Sequence, residues 1–190
     1  RCCGFHCAGG KDEFALDFIV LGCGASWGKP ALAVAAGKVE RVTTQTKREK
    51  DDKIVVTGYG NYVRIDEGGG YKSTYAHLSS FSVKEGDYVV QGEEVGLMGK
   101  TGSVSSSCVG EHAGAHIHYV RHQLIDGKLV AALPEPMSGY TGFPEGLGPF
   151  LDFPLTSNND PTLTTQPPAA DTVTTGQFAP GAPADDNITQ

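Results

Sequence analysis

The chain has 190 residues, 39% of them hydrophobic and 19% charged, with 26 glycines and a formal net charge of −7. That length supports one compact domain of about 150 residues plus extra segments, and the glycine content suits tight turns between strands better than a helical bundle. No apolar run approaches the roughly 18 residues of a membrane span, and with no basic stripe to neutralise phosphates, nucleic acid is excluded as a partner.

The chain begins at Arg1, so a natural start and any signal peptide are expected to have been cut away or to lie outside it. Three of its five cysteines, Cys2, Cys3 and Cys7, crowd that end; the others are Cys23 and Cys108. The odd number leaves at least one thiol free or paired elsewhere. Their clustering predicts disulfides in a secreted, extracytoplasmic setting, with no connectivity fixed by sequence.

The stretch "FALDFIVLG" (14–22) predicts a buried strand, and "KPALAVAAGKVERVTT" (29–44) a second, with Gly37 at a bulge. "QTKREKDDK" (45–53) reads as a charged loop. "KIVVTGYGNYVRIDEG" (53–68), the turn signal "GGG" and "YKSTYAHL" (71–78) form a hairpin. "VKEGDYVVQGEEVGLMGKTG" (83–102) is a series of short strands cut by glycines. "AHIHYVRHQLIDGKLVAAL" (115–133) is a long hairpin turning at Asp126-Gly127. With no amphipathic helix evident, the expected fold is all-β, an antiparallel sandwich or barrel-like scaffold. It should occupy residues 1–155. Residues 156–190, rich in Thr, Pro, Ala and Asp, cannot bury enough apolar surface to offset ordering and are expected to form a disordered linker or tail.

Chemistry concentrates in "GEHAGAHIHY" (110–119), which holds three of the six histidines. Side chains at i and i+2 of a strand share a face, so His116 and His118 stand side by side, their backbones roughly 6–7 Å apart. One can then ligate a metal while the other reaches a substrate. His122 shares the parity but lies about 13 Å further along, outside the expected site; His112 precedes the strand, at the rim. A lone strand histidine is ordinarily a surface or core residue with a satisfied hydrogen bond. Catalytic zinc, moreover, needs three protein ligands and one open position. Two further polar residues interrupt apolar strands: Asp17 in "FALDFIVL", costly to bury unless paired with a cation, and His77 in "TYAHLS".

The ordered set "NYVRIDEGGGYKSTYAHLSSFSVKEGDYVVQGEEVGLMGKTGSVSSSCVGEHAGAHIHY", preceded by "FALDF" and "GKPALAVAAGKV", resembles the M23 peptidase family, the lysostaphin-type or LytM domains. The resemblance runs over roughly residues 5–125. It implies a monomeric, zinc-dependent endopeptidase acting on peptide bonds of bacterial cell-wall peptidoglycan. It implies one Zn²⁺ ion, with Asp17 and His118 as ligands and His77 and His116 as the non-ligand histidines beside it. The chain departs from the family at the first ligand. Four residues before Asp17 the family places His, and here Glu13 stands. The only upstream histidine is His6, which is assigned as third metal ligand; Glu13 and an incomplete, inactive site are the alternatives. A structural zinc site of Cys3, His6 and Cys7 lacks a second half.

No HExxH glutamate is present, so proton transfer falls to His77 and His116, in an order the sequence leaves open. "GKTG" (99–102) has Glu94 where a phosphate loop needs Gly, and "GSVSSS" lacks the G-x-S-x-G turn. Two rivals remain. One is a catalytically inactive LytM-like domain that binds the wall or regulates another wall hydrolase. The other is a carrier-type β domain, weakened by the lack of a suitably placed lysine.

Overall fold

The structure, a computed structural model, describes residues 10–134. Among them there is no helix and there are ten strands: β1 (Leu16–Phe18), β2 (Pro30–Leu32), β3 (Gly37–Arg48), β4 (Ile54–Gly68), β5 (Tyr71–Ala76), β6 (Ser80–Phe81), β7 (Tyr88–Val89), β8 (Glu94–Leu97), β9 (Ile117–Ile125) and β10 (Lys128–Ala132). Every strand pair is antiparallel. The all-β expectation therefore holds. The boundary expected at 155–156, the tail, and Cys2, Cys3, His6 and Cys7 lie outside the described residues.

A seven-stranded sheet runs β1-β9-β5-β4-β3-β7, with β10 also pairing β9. A three-stranded sheet runs β2-β8-β6. β1 and β10 share one edge of β9: β1 pairs with Ile117–Tyr119 and β10 with Arg121–Ile125. Alternation divides the large sheet into two faces. Val39, Val63, Ile65, Tyr75, Ile117 and Tyr119 join Ala31, Val95 and Met98 in the main core. On the opposite face Tyr62, Ala76 and Val120 gather with Tyr59 and Ala15 in a smaller cluster. His116, His118 and His122 share the parity of Val120, so the histidines belong to this second face.

Three strand expectations need correction. The run 14–22 yields only β1, and Ile19, Val20 and Leu21 are exposed. The run 29–44 is two strands in different sheets, β2 and β3. Gly37 opens β3 against the Asp66 carbonyl, where a Cβ would collide. The charged stretch 45–53 is strand up to Arg48 and turns only over Glu49–Lys53, closing with Glu49 N–H to Lys53 O at 2.8 Å. A two-stranded ribbon exposed on both sides needs no apolar face, so its charges hid it.

Candidate active site

Strand β9 sets the site. His118 is paired with Asp17 of β1 on one side and Ala76 of β5 on the other. The residue after Ala76 is His77, which leaves the strand in the left-handed backbone region (φ 64°). Few residues other than glycine adopt that region, histidine among the more tolerant. Two backbone bonds hold it there: His77 N–H to Tyr59 O at 2.8 Å and Thr101 N–H to His77 O at 3.4 Å. The segment 99–101 threads between His77 and His116, and His116 N–H donates to Gly99 O at 3.0 Å. Glycine permits this approach: a Cβ on Gly60 would fall on the Thr101 carbonyl, and one on Gly99 on Ser79 N and His77 O.

These contacts bring Asp17, His77, His116 and His118 together. His118 Nδ1 donates to Asp17 Oδ1 at 2.9 Å, and His116 Nε2 lies 3.7 Å from the same oxygen. The His77 ring centroid is 4.7 Å from that of His116 and 5.7 Å from that of His118. Both outer histidines have one nitrogen committed. His77 Nδ1–H donates to Thr101 O at 2.8 Å, and His116 Nδ1–H to Gly114 O at 2.7 Å. In the neutral ring each therefore has Nε2 as its acceptor nitrogen.

The electrostatics separate the imidazoles. Burial, helped by His116, lowers His77 to about 4, so it is neutral at physiological pH. Burial acts the same way on His118, but Asp12 and Asp17 outweigh it and raise His118 to about 9. Without a metal ion, His118 is then an imidazolium between two carboxylates.

One of those carboxylates is a correction. Asp17 is not the buried acid that the apolar run suggests; its side chain is 46% exposed. Asp12 is buried instead, at 6%. It sits in the turn before β1, with Oδ2 3.7 Å from His118 Nε2 and Oδ1 3.7 Å from His122 Nε2. Tyr59 Oη donates to the same Oδ1 in a short hydrogen bond. Burial raises the Asp12 pKa, but the contacts with His118, His122 and Tyr59 prevail and hold it below the ordinary carboxylate range. Burial and Asp12 together push Tyr59 well above the usual phenol value. His122, expected outside the site, is fully buried directly behind it, with Nε2–H donating to Lys11 O at 2.9 Å. Within "KDEF", Asp12 resembles an ordinary solvated charge, and no local signal marks its burial.

Two loops frame the open side. A disulfide joins Cys23, just beyond β1, to Cys108, just before β9, with Cα atoms 6.0 Å apart. His112 stacks on Trp27 with centroids 4.5 Å apart and ring planes 10° apart. Disulfides were expected from the cysteines as a set, with no connectivity assigned; the structure pairs these two. Among the described residues, no group of three or more His, Cys, Asp or Glu side chains is placed to hold a metal ion. His6 lies outside the described residues, and Glu13 sits in the Gly10–Phe14 turn beside Asp12.

Residues 21–131 match the sequence profile of Peptidase family M23. An uncharacterized metalloprotease of Haemophilus influenzae is 37% identical over 120 residues, 61% of this chain and 21% of that protein. The peptidoglycan DD-endopeptidase ShyA of Vibrio cholerae is 39% identical over 74 residues, 39% of this chain and 15% of that one. The solved catalytic domain of lysostaphin from Staphylococcus simulans aligns with a TM-score of 0.43 and 27% identity, over 58% of this chain and 66% of that chain. The profile match covers more than half of the sequence, and the chain belongs to peptidase family M23. It spans about a fifth or less of the length of the two curated relatives.

Proposed function

We propose that the chain is a zinc-dependent endopeptidase hydrolysing peptide bonds in bacterial peptidoglycan outside the cytoplasm. The observation that carries this reading is the convergence of Asp17, His77, His116 and His118 from three separate segments onto one partly open point. The substrate class is supported by the Vibrio cholerae relative, a peptidoglycan DD-endopeptidase. The disulfide suits an oxidising compartment.

The donor set fits a zinc ion. Imidazole nitrogen and carboxylate oxygen are both ordinary zinc donors, and the proton shared by His118 Nδ1 and Asp17 Oδ1 over 2.9 Å occupies a place that a cation can take. Asp17 and His118 would hold the ion, with His6 as third ligand; Glu13 does not group with them in a set placed to hold a metal. When bound, zinc supplies Lewis acidity: it polarises the scissile carbonyl and acidifies water. The chain's own residues handle the protons. His77 is kept neutral with Nε2 open, so it can accept a proton from the attacking water and return it to the leaving amine. His116, held by Gly114 O, presents its ring beside the same point and, when protonated at Nε2, donates to the oxyanion as it forms. The exposed edge of Asp17 leaves an approach for an extended peptide.

The test is metal content and wall hydrolysis by the purified chain beside its His6→Ala variant. One zinc per chain, lost with activity in His6→Ala, is the expected result. A chain that takes up no zinc and releases no peptide from peptidoglycan overturns the reading. That outcome would favour an inactive LytM-like wall-binding or regulatory domain, a reading that draws on Glu13 standing where the family pattern has histidine.

A further inference from the structure

We propose that Asp12 is a positioning residue for His118: it holds the Nε2 edge of the ring so that Nδ1 faces Asp17 and the metal. The proposal rests on the zinc reading above and extends it to a residue outside the ligand set.

Asp12 and Asp17 lie at opposite nitrogens of one imidazole. Oδ1 of Asp17 is 2.9 Å from Nδ1, and Oδ2 of Asp12 is 3.7 Å from Nε2. The metal belongs on the Asp17 side. A peptide must reach it, the Asp17 side chain is 46% exposed, and His116 stands there too. Asp12 is enclosed, with a side-chain exposure of 8%. A buried carboxylate without partners is costly. This one accepts a hydrogen bond from the Tyr59 hydroxyl on β4, and the Nε2 atoms of His118 and His122 on β9 each stand 3.7 Å from it, within ion-pair reach and beyond hydrogen-bond distance.

Those partners also fix Asp12 itself. Tyr59 Oη donates to Oδ1, with His122 Nε2 3.7 Å from the same oxygen, and Oδ2 is the oxygen turned to His118. The turn is tied down by Ala15 N–H to Asp12 O at 3.1 Å and by His122 Nε2–H to Lys11 O at 2.9 Å. Tyr59 flanks His118 as well, with ring centroids 5.7 Å apart. The imidazole therefore has little freedom to flip. A carboxylate behind a metal-binding histidine selects the tautomer protonated on the far nitrogen and makes the near nitrogen a better donor. Removing such a partner typically costs about 10–100-fold in metal affinity.

The experiment measures Zn²⁺ affinity of the full chain by competition with a chromophoric chelator, for the parent and for Asp12→Asn. The side-chain nitrogens of His118 are observed by NMR in the zinc-loaded parent. Expected are a loss of affinity of about 10–100-fold in Asp12→Asn, at unchanged zinc stoichiometry, and a proton on Nε2 of His118 in the parent. Parent-like affinity in a folded Asp12→Asn, or a proton on Nδ1 of zinc-loaded His118, overturns the proposal. The NMR result needs no variant, so it decides the matter even where Asp12→Asn fails to fold. A parent chain that binds no zinc at all defeats the functional reading instead, and the two failures are distinguishable.

Discussion

The two edges of the His118 ring face different worlds. On the open edge, Asp17 is half-exposed, His77 and His116 commit Nδ1 to backbone carbonyls, and His116 Nε2 lies 3.7 Å from Asp17 Oδ1. On the closed edge, Asp12, Tyr59 and His122 form a buried polar knot in which Tyr59 donates to the carboxylate and the His122 ring stands 3.7 Å away. The difference teaches that solvent access can set one residue type, aspartate, to two tasks. In the proposed site the accessible one would take a cation where it now accepts the His118 Nδ1 proton. The enclosed one would hold geometry.

The largest effect should come from breaking the open edge. Asp17→Ala is expected to strip the zinc and lower peptidoglycan hydrolysis by about a thousandfold or more, the equivalent of several kcal/mol of lost Lewis-acid stabilisation. Metal analysis alongside turnover checks this, and a variant retaining parent-like zinc and rate would show that Asp17 is not a ligand.

Next is His77→Asn, chosen because asparagine tolerates the left-handed backbone at this position. Its kcat should fall by about 10²–10⁴-fold with zinc content intact, the usual contribution of a positioned proton-transfer group. Loss of zinc with the activity would instead make His77 a ligand.

The third prediction concerns pH and the chain without zinc. His77 titrates at about 4 in the folded chain against about 6.5 when unfolded, so the unfolded state binds the extra proton and stability falls as pH drops from 6.5 toward 4. His118 is raised to about 9, so its contribution is full below about 6.5 and is lost as pH rises toward 9. Urea unfolding in chelator should therefore show a maximum near neutrality, each limb worth about 3 kcal/mol at most. Saturating zinc should flatten the alkaline limb, because a ligating His118 has no such proton to lose. A stability that climbs steadily from pH 6.5 to 9 in chelator would contradict the His118 assignment.

The smallest effect should be that of Tyr59→Phe on the closed edge. It removes one hydrogen bond to Asp12 and leaves the carboxylate and both histidines in place. A stability loss of about 1–3 kcal/mol is expected, with a drop in zinc affinity smaller than that of Asp12→Asn. Zinc affinity falling further in Tyr59→Phe than in Asp12→Asn would mean that Tyr59 acts on His118 directly.

How much of this was legible in the sequence follows the same division. The open edge was readable because its residues break local patterns: Asp17 inside an apolar run, His77 in "TYAHLS", and two histidines at strand spacing. The hairpins were readable from "GGG" and Asp126-Gly127, where the turn chemistry is local. The closed edge was not. Asp12 lies among charged neighbours, and its burial depends on Tyr59 and His122, which reach it only through the pairing of β4, β5 and β9. The stretch after β1 misled for the opposite reason. Ile19, Val20 and Leu21 look like core residues and are exposed, in the loop leading to the Cys23–Cys108 disulfide rather than in a strand. The third ligand depends on residue 6, outside the described residues.

The left-handed backbone at His77 has a consequence for how this position can vary. Its main-chain shape rewards glycine and asparagine as much as histidine, whereas the proposed proton transfer needs a side chain that can take up and return a proton, which those two lack. Shape and reactivity are thus under independent control at a single codon. A lineage could fall silent there while its architecture, and any grip it has on the wall, stayed whole.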